Sequence, residues 1–491
     1  MTAPSLTSES VGGPPDRKAL LAEIDASCRT PVLLLFVGAL VWLLLASVFA
    51  LIASIKLHAP GFLAACPCFT YGRIQPAALN CFLYGFASQA AFGVALWLIC
   101  RLGQTPLCCP GYVIAAKLFW NLGMTVGVFG ILNGDGTGYE WLELPRYASP
   151  ILFVAYALVG LAAIITLHHR RERELYVSQW FLFAALLAFP WLYSAAQVLL
   201  VFQPVRGVMQ AVVNGWFAHG LRELWFGATG LAVVFYFVPK ILGRPLHSRY
   251  LAAFAFWLLM VFGSWGGVAT GAPVPRWMSS VCVVSGILML VPLAAVATNL
   301  QLTFVTGGCW EKIKSNVTLK FMVFGTFCYL LAGLLNALSG LPAMAAVTQF
   351  THFNTALTWL NLYGFFAMIL FGAIYFIVPR LMQMEFPEAG WVRFHFLASA
   401  SGGILYVMPL FIGGLVQGAA LNDKAKPFVD VVKSTLPFVG VSTLGLLLVA
   451  TGNLALFANL VKMLVQCCRE CCDPAALFSP EGKAETAEEL R

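Results

Sequence analysis

Charged residues are scarce in this chain. Asp, Glu, Lys and Arg together make up 10% of its residues, whereas roughly a quarter is usual for a soluble domain. Hydrophobic residues reach 60%, and the mean hydropathy is +0.84. So little charge cannot cover the surface of a soluble protein of 491 residues. The composition therefore excludes that class and predicts a helical membrane protein.

Sequence motifs for several common activities are missing. The chain has no GxxxxGK[ST] loop, no GxGxxG after a strand, no HExxH and no CxxCH. These absences argue against P-loop nucleotide hydrolysis, Rossmann-type dinucleotide binding, HExxH zinc proteolysis and covalent attachment of a c-type haem. The net charge of +8 does not indicate nucleic-acid binding, because the basic residues fall in short connections between apolar runs.

Long apolar runs dominate what is present. A membrane-spanning helix needs about 20 mostly apolar residues. The runs that meet this requirement are 31–55, 77–100, 112–132, 149–167, 177–202, 211–238, 249–270, 277–304, 319–340, 353–378, 394–418 and 436–463. We therefore expect an all-α, polytopic protein with twelve transmembrane helices in the lipid bilayer. The expected organisation is a polar N-terminal tail (1–30), a membrane domain (31–465) and a Cys-rich, disordered C-terminal tail (466–491).

Basic residues are distributed unevenly between alternate connections. If both ends lie on one side, the connections on that side carry Arg101, Arg170, Arg171, Arg173, Lys240, Arg244, Arg249, Lys312, Lys314, Lys320, Arg380 and Arg393. The opposite connections hold fewer basic residues. Because Lys and Arg accumulate in cytoplasmic loops, we expect a multi-pass protein of the inner (plasma) membrane with both termini in the cytoplasm.

The sixth apolar run contains ionisable residues deep in a helix. His219, Arg222 and Glu223 follow one another at i, i+3 and i+4, so they share one helical face. A charge at this depth costs roughly 3 kcal/mol or more, and such residues usually face the bundle interior and find a partner. The three side chains therefore predict a buried polar cluster.

Two interpretations of this cluster remain open. His219 and Glu223 are one helical turn apart, a spacing that can hold one metal ion. Arg222 beside them disfavours a cation, because it repels one and already neutralises Glu223. The alternative is a structural Arg222–Glu223 ion pair with His219 hydrogen-bonded nearby, and the residues favour it.

Several segments occur in the order and spacing of a known membrane-protein family. They are GRIQP at 72–76, YEWLELP at 139–145, YVSQW at 176–180, YFVPK at 236–240, YFIVPR at 375–380, FHFL at 394–397 and GLVQG at 414–418. Together they resemble the catalytic subunit I of haem-copper oxidases, specifically the C-family (cbb-type) branch and the related nitric oxide reductases. The resemblance extends from about residue 30 to about residue 465.

The resemblance implies a particular fold and set of cofactors. In the family, twelve helices surround a low-spin haem, a high-spin haem and a copper or iron ion. Six histidines hold these groups, and a membrane-anchored cytochrome c subunit passes in electrons. Dioxygen, or nitric oxide in the reductases, is then reduced. Haem and copper are accordingly the cofactors that the family leads us to expect, and an oxidase-complex subunit is the expected partner.

The ligand positions of the family do not carry over to this chain. Counted from the matching motifs, they fall at Ala78, Ala269, Thr270, Leu357 and Trp359, while the cross-linked tyrosine falls at Gly263. Only the copper histidine of the sixth helix is kept, as His219, and Glu223 matches the extra glutamate of the reductases. The chain has seven histidines in all, and His219 alone lies deep in a helix, so a six-histidine set cannot be assembled.

Three functions remain open from the sequence. The first is a redox-inert relative of the oxidase subunit with a scaffold, assembly or regulatory role. The second is an active oxidoreductase with unusual ligands, such as a metal at His219 and Glu223. The third is a carrier or channel for small solutes that uses the vacated cavity, with Arg222 binding an anion. In the first case, bulky residues would fill the haem volume: Trp225, Phe226, Leu357, Trp359 and Tyr363.

Overall fold

Long helices account for nearly all of the regular structure. In a computed structural model that describes residues 17–305 and 309–472, no strand is present in those ranges. The main helices are α1 (Arg17–His58), α2 (Tyr71–Gly103), α3 (Pro110–Asn133), α4 (Ser149–His168), α5 (Val177–Phe202), α6 (Met209–Leu242), α7 (Arg249–Phe262), α8 (Arg276–Phe304), α9 (Val317–Ser339), α10 (His352–Met382), α11 (Ala389–Leu421) and α12 (Phe428–Cys472). Short helices at Pro67–Phe69, Cys309–Ser315 and Pro342–Thr348 lie in the connections.

Local signals place the ends of these helices. Asn316 and Thr351 accept hydrogen bonds from backbone N–H groups in the first turns of α9 and α10, as N-cap residues do. Gly134 and Gly243 end α3 and α6 in the left-handed region, with φ of 105° and 69°. Helices suit this environment because a backbone in lipid must satisfy its own hydrogen bonds. The all-α, polytopic fold class expected from the sequence is therefore confirmed.

Three helices form the centre of the bundle. In α2, α6 and α10 a long apolar stretch is almost entirely buried, whereas the corresponding stretches of the other spanning helices are half buried or less. The outer helices pack around them, with α1 against α2, α5 against α6, and α9 and α11 against α10. Each central helix also contains a π-helical stretch: Cys81–Ser88, Leu221–Gly227 and Leu360–Ala367. Such wide turns often mark functional sites.

The seventh helix is shorter than the sequence predicts. Eleven of the described helices are long and apolar enough to cross a membrane, and α7 is not among them. Its 14 residues span about 21 Å, less than the roughly 30 Å hydrocarbon core. The predicted run 249–270 ends early because glycine follows: Gly267 and Gly271 have φ of 90° and 82°, which a helix cannot contain. The described ranges contain the twelve main helices expected, and the structure corrects only the length of the seventh run.

The described helices extend beyond the predicted membrane domain, 31–465, at both of its ends. The first helix begins at Arg17, inside the segment 1–30 expected as a polar tail, and α12 continues to Cys472. The residues 473–491, expected to be disordered, lie outside the described residues. Near this C-terminal end of α12, Lys462 contacts Glu388 of the connection between α10 and α11. The start of α1 and the end of α12 thus lie on the same face of the bundle.

Candidate functional site

The polar cluster predicted in the sixth helix is present in α6. The Arg222 Nε atom lies 2.9 Å from Glu223 Oε1, and Arg222 Nη2 lies 2.9 Å from His219 Nδ1. The side chains of Arg222 and Glu223 are 26% and 12% exposed, and they face a cavity. Arg222 thus contacts both of the other side chains, as an ion pair with Glu223 and a hydrogen bond to His219.

The contacts of His219 determine which of its ring nitrogens carries the proton. A guanidinium has no lone pair, so Arg222 donates to His219 Nδ1, and the neutral imidazole carries its hydrogen on Nε2. The Nε2 side of the ring lies against Gly266, where an added Cβ would be 2.3 Å from Nε2. Neither ring nitrogen therefore has a free lone pair directed into open space.

A polar cavity of about 400 Å³ opens beside this cluster. Its walls come from α6, α8, α9 and α10, from the loop before α4 and from the glycine-rich segment after α7. Its polar lining residues are Glu140, His219, Arg222, Glu223, Thr270, Asn336, Ser339, Gln349, Asn354, Thr358 and Asn361. The cavity therefore combines one cationic and two acidic side chains with several amides and hydroxyls.

Hydrogen bonds hold the acidic loop between α3 and α4 beside the site. The Glu140 backbone exchanges two hydrogen bonds with the Asn214 side chain of α6, at 3.0 and 2.8 Å. Glu143 Oε2 accepts a hydrogen bond of 2.8 Å from Asn80 Nδ2 in α2. Burial raises the pKa of Glu143 to about 7, although the Asn80 hydrogen bond opposes this. Burial also raises the pKa of Glu140, while the positive charge of Arg222 lowers it.

The raised pKa of Glu143 makes stability depend on pH. Its carboxyl binds a proton more tightly in the folded than in the unfolded state, so ionisation favours unfolding. The free energy of unfolding should fall by about 2 kcal/mol as the pH rises from 5 to 8. In Glu143→Gln this fall should be largely absent, because the amide keeps the Asn80 hydrogen bond without a charge. Unfolding midpoints of the detergent-purified protein at pH 5 and 8 measure it.

A matched control separates this effect from general pH sensitivity. Glu311 is 81% exposed on its side chain, so Glu311→Gln should retain the wild-type pH dependence. An unchanged pH dependence in Glu143→Gln would mean that Glu143 is already ionised at low pH.

Aromatic rings fill the space between α2 and α10 near Ala78 and Trp359, two of the residues at which the resemblance would put ligands. Phe82, one turn after Ala78, lies 5.5 Å from Trp359 and 6.3 Å from Tyr363, measured between ring centroids. Trp359 also packs on Tyr406 of α11 at 5.5 Å. The Tyr363 hydroxyl is a donor in a buried network, with Ser399 Oγ of α11 and Asn453 Oδ1 of α12 each 3.1 Å away.

The other residues at which the resemblance would put ligands make contacts of other kinds. Leu357 is buried in the wall of the polar cavity. Ala269 and Thr270 lie in the non-helical segment after α7, and the Thr270 hydroxyl donates to the Gly340 carbonyl at 3.2 Å. Gly263, at the position of the cross-linked tyrosine, directly follows the last residue of α7. The bulky α6 residues Trp225 and Phe226 are buried in aromatic contacts with other central helices.

Some residues of the site were not found from the sequence. Asn80 and Asn214 hold the acidic loop, and Asn336, Asn354 and Asn361 line the cavity. Each is an asparagine in or beside an apolar run, which is an available signal because such amides need partners in a membrane. Their sequence separation gives no indication that they converge.

These features define a class of protein. It is a polytopic all-α membrane protein in which three buried central helices, each with a π-helical stretch, enclose a polar site. A comparison with known protein families matches residues 30–448 to the family model for cytochrome c and quinol oxidase polypeptide I. The chain therefore belongs to the haem-copper oxidase subunit I family, and its relatives place it in the C-family (cbb-type) branch.

The relatives agree with this assignment along most of their length. The chain is 25% identical to the cbb3-type cytochrome c oxidase subunit CcoN1 of Stutzerimonas stutzeri, covering 80% of this chain and 86% of that protein. It is 24% identical to a cytochrome c oxidase subunit 1 homolog of Azorhizobium caulinodans, covering 86% and 79%. A solved haem-copper terminal oxidase dimer matches with a TM-score of 0.69 at 14% identity, over 91% of this chain and 84% of that chain. This structural match to the solved oxidase shows that the two chains share a fold.

Proposed function

We propose that this chain is a redox-inert subunit I-like protein of a respiratory membrane complex, with a scaffold, assembly or regulatory role. The observation that carries the proposal is the state of the family's ligand positions. Five of them hold Ala78, Ala269, Thr270, Leu357 and Trp359, none of which offers an imidazole to iron or copper. The aromatic contacts of Phe82 with Trp359 and Tyr363 leave little room for a low-spin haem between α2 and α10.

The geometry around His219 supports the same proposal. A metal ligand must present a lone pair, but Arg222 occupies Nδ1 and Gly266 covers the Nε2 side. Glu223 is held by Arg222 as well. Within the described ranges, no group of three or more His, Cys, Asp or Glu side chains could hold a metal ion. The residues present therefore do not fit the family's haem and metal set, and we assign the chain no redox step.

The visible spectrum of the purified protein tests this directly. We expect no Soret band in the air-oxidised or dithionite-reduced protein, and no stoichiometric iron or copper by mass spectrometry. A cbb3-type oxidase purified in the same detergent serves as the positive control. A Soret band corresponding to one haem per chain would contradict the proposal and favour the alternative, an oxygen- or nitric oxide-reducing enzyme with unusual ligands. A metal content abolished by His219→Ala and Glu223→Ala would favour the predicted metal pair.

A second candidate function is a carrier or channel for small solutes. The cavity of about 400 Å³ beside Arg222 favours it. Because Glu140 and Glu223 accompany Arg222 there, the lining suits a zwitterionic or neutral polar solute better than a simple anion. Uptake of small polar solutes into proteoliposomes tests this function. Loss of uptake in Arg222→Ala with Glu223→Gln, which removes both charges together, would support it.

We further propose the orientation and partners that the family implies. The basic ends of α2, α6 and α10 lie on the same face as the start of α1 and the end of α12, so the positive-inside rule puts both termini in the cytoplasm. The partners would be other subunits of an oxidase-type complex, for example a membrane-anchored cytochrome c. Cleavage of tags on either terminus in inside-out but not right-side-out vesicles tests the orientation.

A further inference from the structure

A second cavity lies near the C-terminal end of α6, several turns beyond the polar cluster, where other helices also begin or end. Its volume is about 360 Å³, and it is bounded by the start of α1, the ends of α2, α6 and α10, and the start of α7. Each of these five helices contributes one basic side chain: Arg17, Arg101, Lys240, Arg249 and Arg380. We call this cavity the basic cavity.

The basic side chains are not neutralised by their surroundings. Within the described part of the chain, Arg101 is the only one of the five in an ion pair, with Asp25 of α1. The charges of Arg17, Arg101 and Arg380 all act on Lys240, so the cations lie close enough to repel one another. The carboxylates Glu172 and Glu174 line one wall. Asp25 and Glu385 also act on Arg380, and these four carboxylates are still outnumbered by the five basic side chains.

Aromatic rings hold three of the guanidinium groups in place. Arg380 lies 3.4 Å from the ring centroid of Phe376, and its Nη1 donates to the Phe376 carbonyl at 2.8 Å. Arg101 stacks over Trp97 at 5.1 Å, and Arg249 over Tyr176 at 5.9 Å. A stacked guanidinium can still present N–H groups at its edge to a ligand. Arg101 already donates from Nε and Nη2 to Asp25, so Arg249 and Arg380 have more N–H groups to offer. Their restricted rotamers also lower the entropy cost of binding.

We propose that the basic cavity binds a phosphate-bearing anion. Guanidinium groups match phosphate oxygens in paired hydrogen bonds, and an ammonium such as that of Lys240 adds charge. A site formed by an excess of cations from several helices at the end of a membrane bundle suits the phosphate of an anionic lipid headgroup. A soluble phosphate compound presents the same chemistry from the aqueous side. A solvated basic loop would need neither the enclosed volume nor the stacked geometry.

Ligand-dependent stabilisation of the full-length, detergent-purified protein tests the proposal. Inorganic diphosphate, dioctanoyl phosphatidylglycerol and dioctanoyl phosphatidylcholine are titrated separately, and the thermal unfolding midpoint is followed, since a ligand that binds the folded state raises it. We expect saturable stabilisation by at least one of the first two probes and none by phosphatidylcholine. In Lys240→Gln/Arg249→Gln, the apparent affinity should fall roughly tenfold or more.

The outcomes are distinguishable. Stabilisation by diphosphate alone assigns the cavity to a soluble phosphate compound, and stabilisation by phosphatidylglycerol assigns it to a lipid headgroup. Arg173→Gln is the matched control, because Arg173 is exposed on the same face but does not line the cavity. Lys240→Gln alone, on an exposed side chain, guards against a folding defect, which a lowered midpoint without ligand would show. No stabilisation, or equal affinity in the double variant and Arg173→Gln, would overturn the proposal.

Discussion

Replacing Arg222 with methionine is expected to destabilise the protein by about 3 kcal/mol. The change leaves the Glu223 carboxylate facing the cavity without a counter-charge and leaves His219 Nδ1 without its donor. Both groups lie at a depth where water cannot fully replace the guanidinium. The partial exposure of Arg222, 26% on its side chain, puts the cost at the lower end of the range for broken buried pairs. Unfolding by sodium dodecyl sulfate titration from a mild detergent measures it.

A double variant shows whether the pair itself is responsible. Arg222→Met with Glu223→Gln removes both charges and should recover most of the lost stability, since an apolar or neutral pair can replace a buried ion pair. Lys314→Met breaks the exposed pair with Glu311, whose side chains are 57% and 81% exposed, and should change stability little. If the double variant were as unstable as Arg222→Met, packing of the Arg222 side chain would be the cause.

Replacing Gly215 with alanine is expected to destabilise the protein by about 3 kcal/mol or more. A Cβ at this position of α6 would lie 2.0 Å from the Gly267 carbonyl oxygen. That oxygen is backbone, so the clash cannot be relieved by a side-chain rotation, and the segment after α7 would have to move away from α6. Gly266, which packs on His219, belongs to the same segment. Expression level and the thermal unfolding midpoint in detergent measure the effect.

Gly440→Ala is the matched control for this prediction. Gly440 also lies within a helix, but no atom lies within 4 Å of its added Cβ. Alanine there should be neutral or should stabilise by about 0.5–1 kcal/mol through helix propensity. A Gly215→Ala protein as stable as wild type would mean that the segment after α7 is not held against α6.

Most helix positions could be predicted from the sequence because the requirement for a membrane span is local. An apolar run of sufficient length must be helical in lipid, and the runs at 149–167 and 177–202 match α4 and α5 closely. The run 249–270 misled the prediction because its apolar composition continues past Phe262. Gly267, with φ of 90°, packs against the α6 backbone at Gly215, and a hydropathy pattern does not contain that contact.

In the candidate site, too, contacts within one helix were predictable and contacts between elements were not. The cluster of His219, Arg222 and Glu223 was predictable, because residues at i, i+3 and i+4 on one helix are neighbours whatever the rest of the chain does. Asn80 and Glu143 were not predictable as a pair, because a hydrogen bond between residues from different helices depends on how the bundle packs.

The sequence by itself determined the membrane class, the all-α fold and most helix positions. These follow from apolar length, helical spacing and residue chemistry, all of which are local properties. The tertiary structure alone decided that Phe82 lies against Trp359 and Tyr363, that Gly266 covers His219, and that Arg17, Arg101, Lys240, Arg249 and Arg380 line one cavity. Each of these contacts joins residues distant in sequence, and only the packing of one helix against another brings them together.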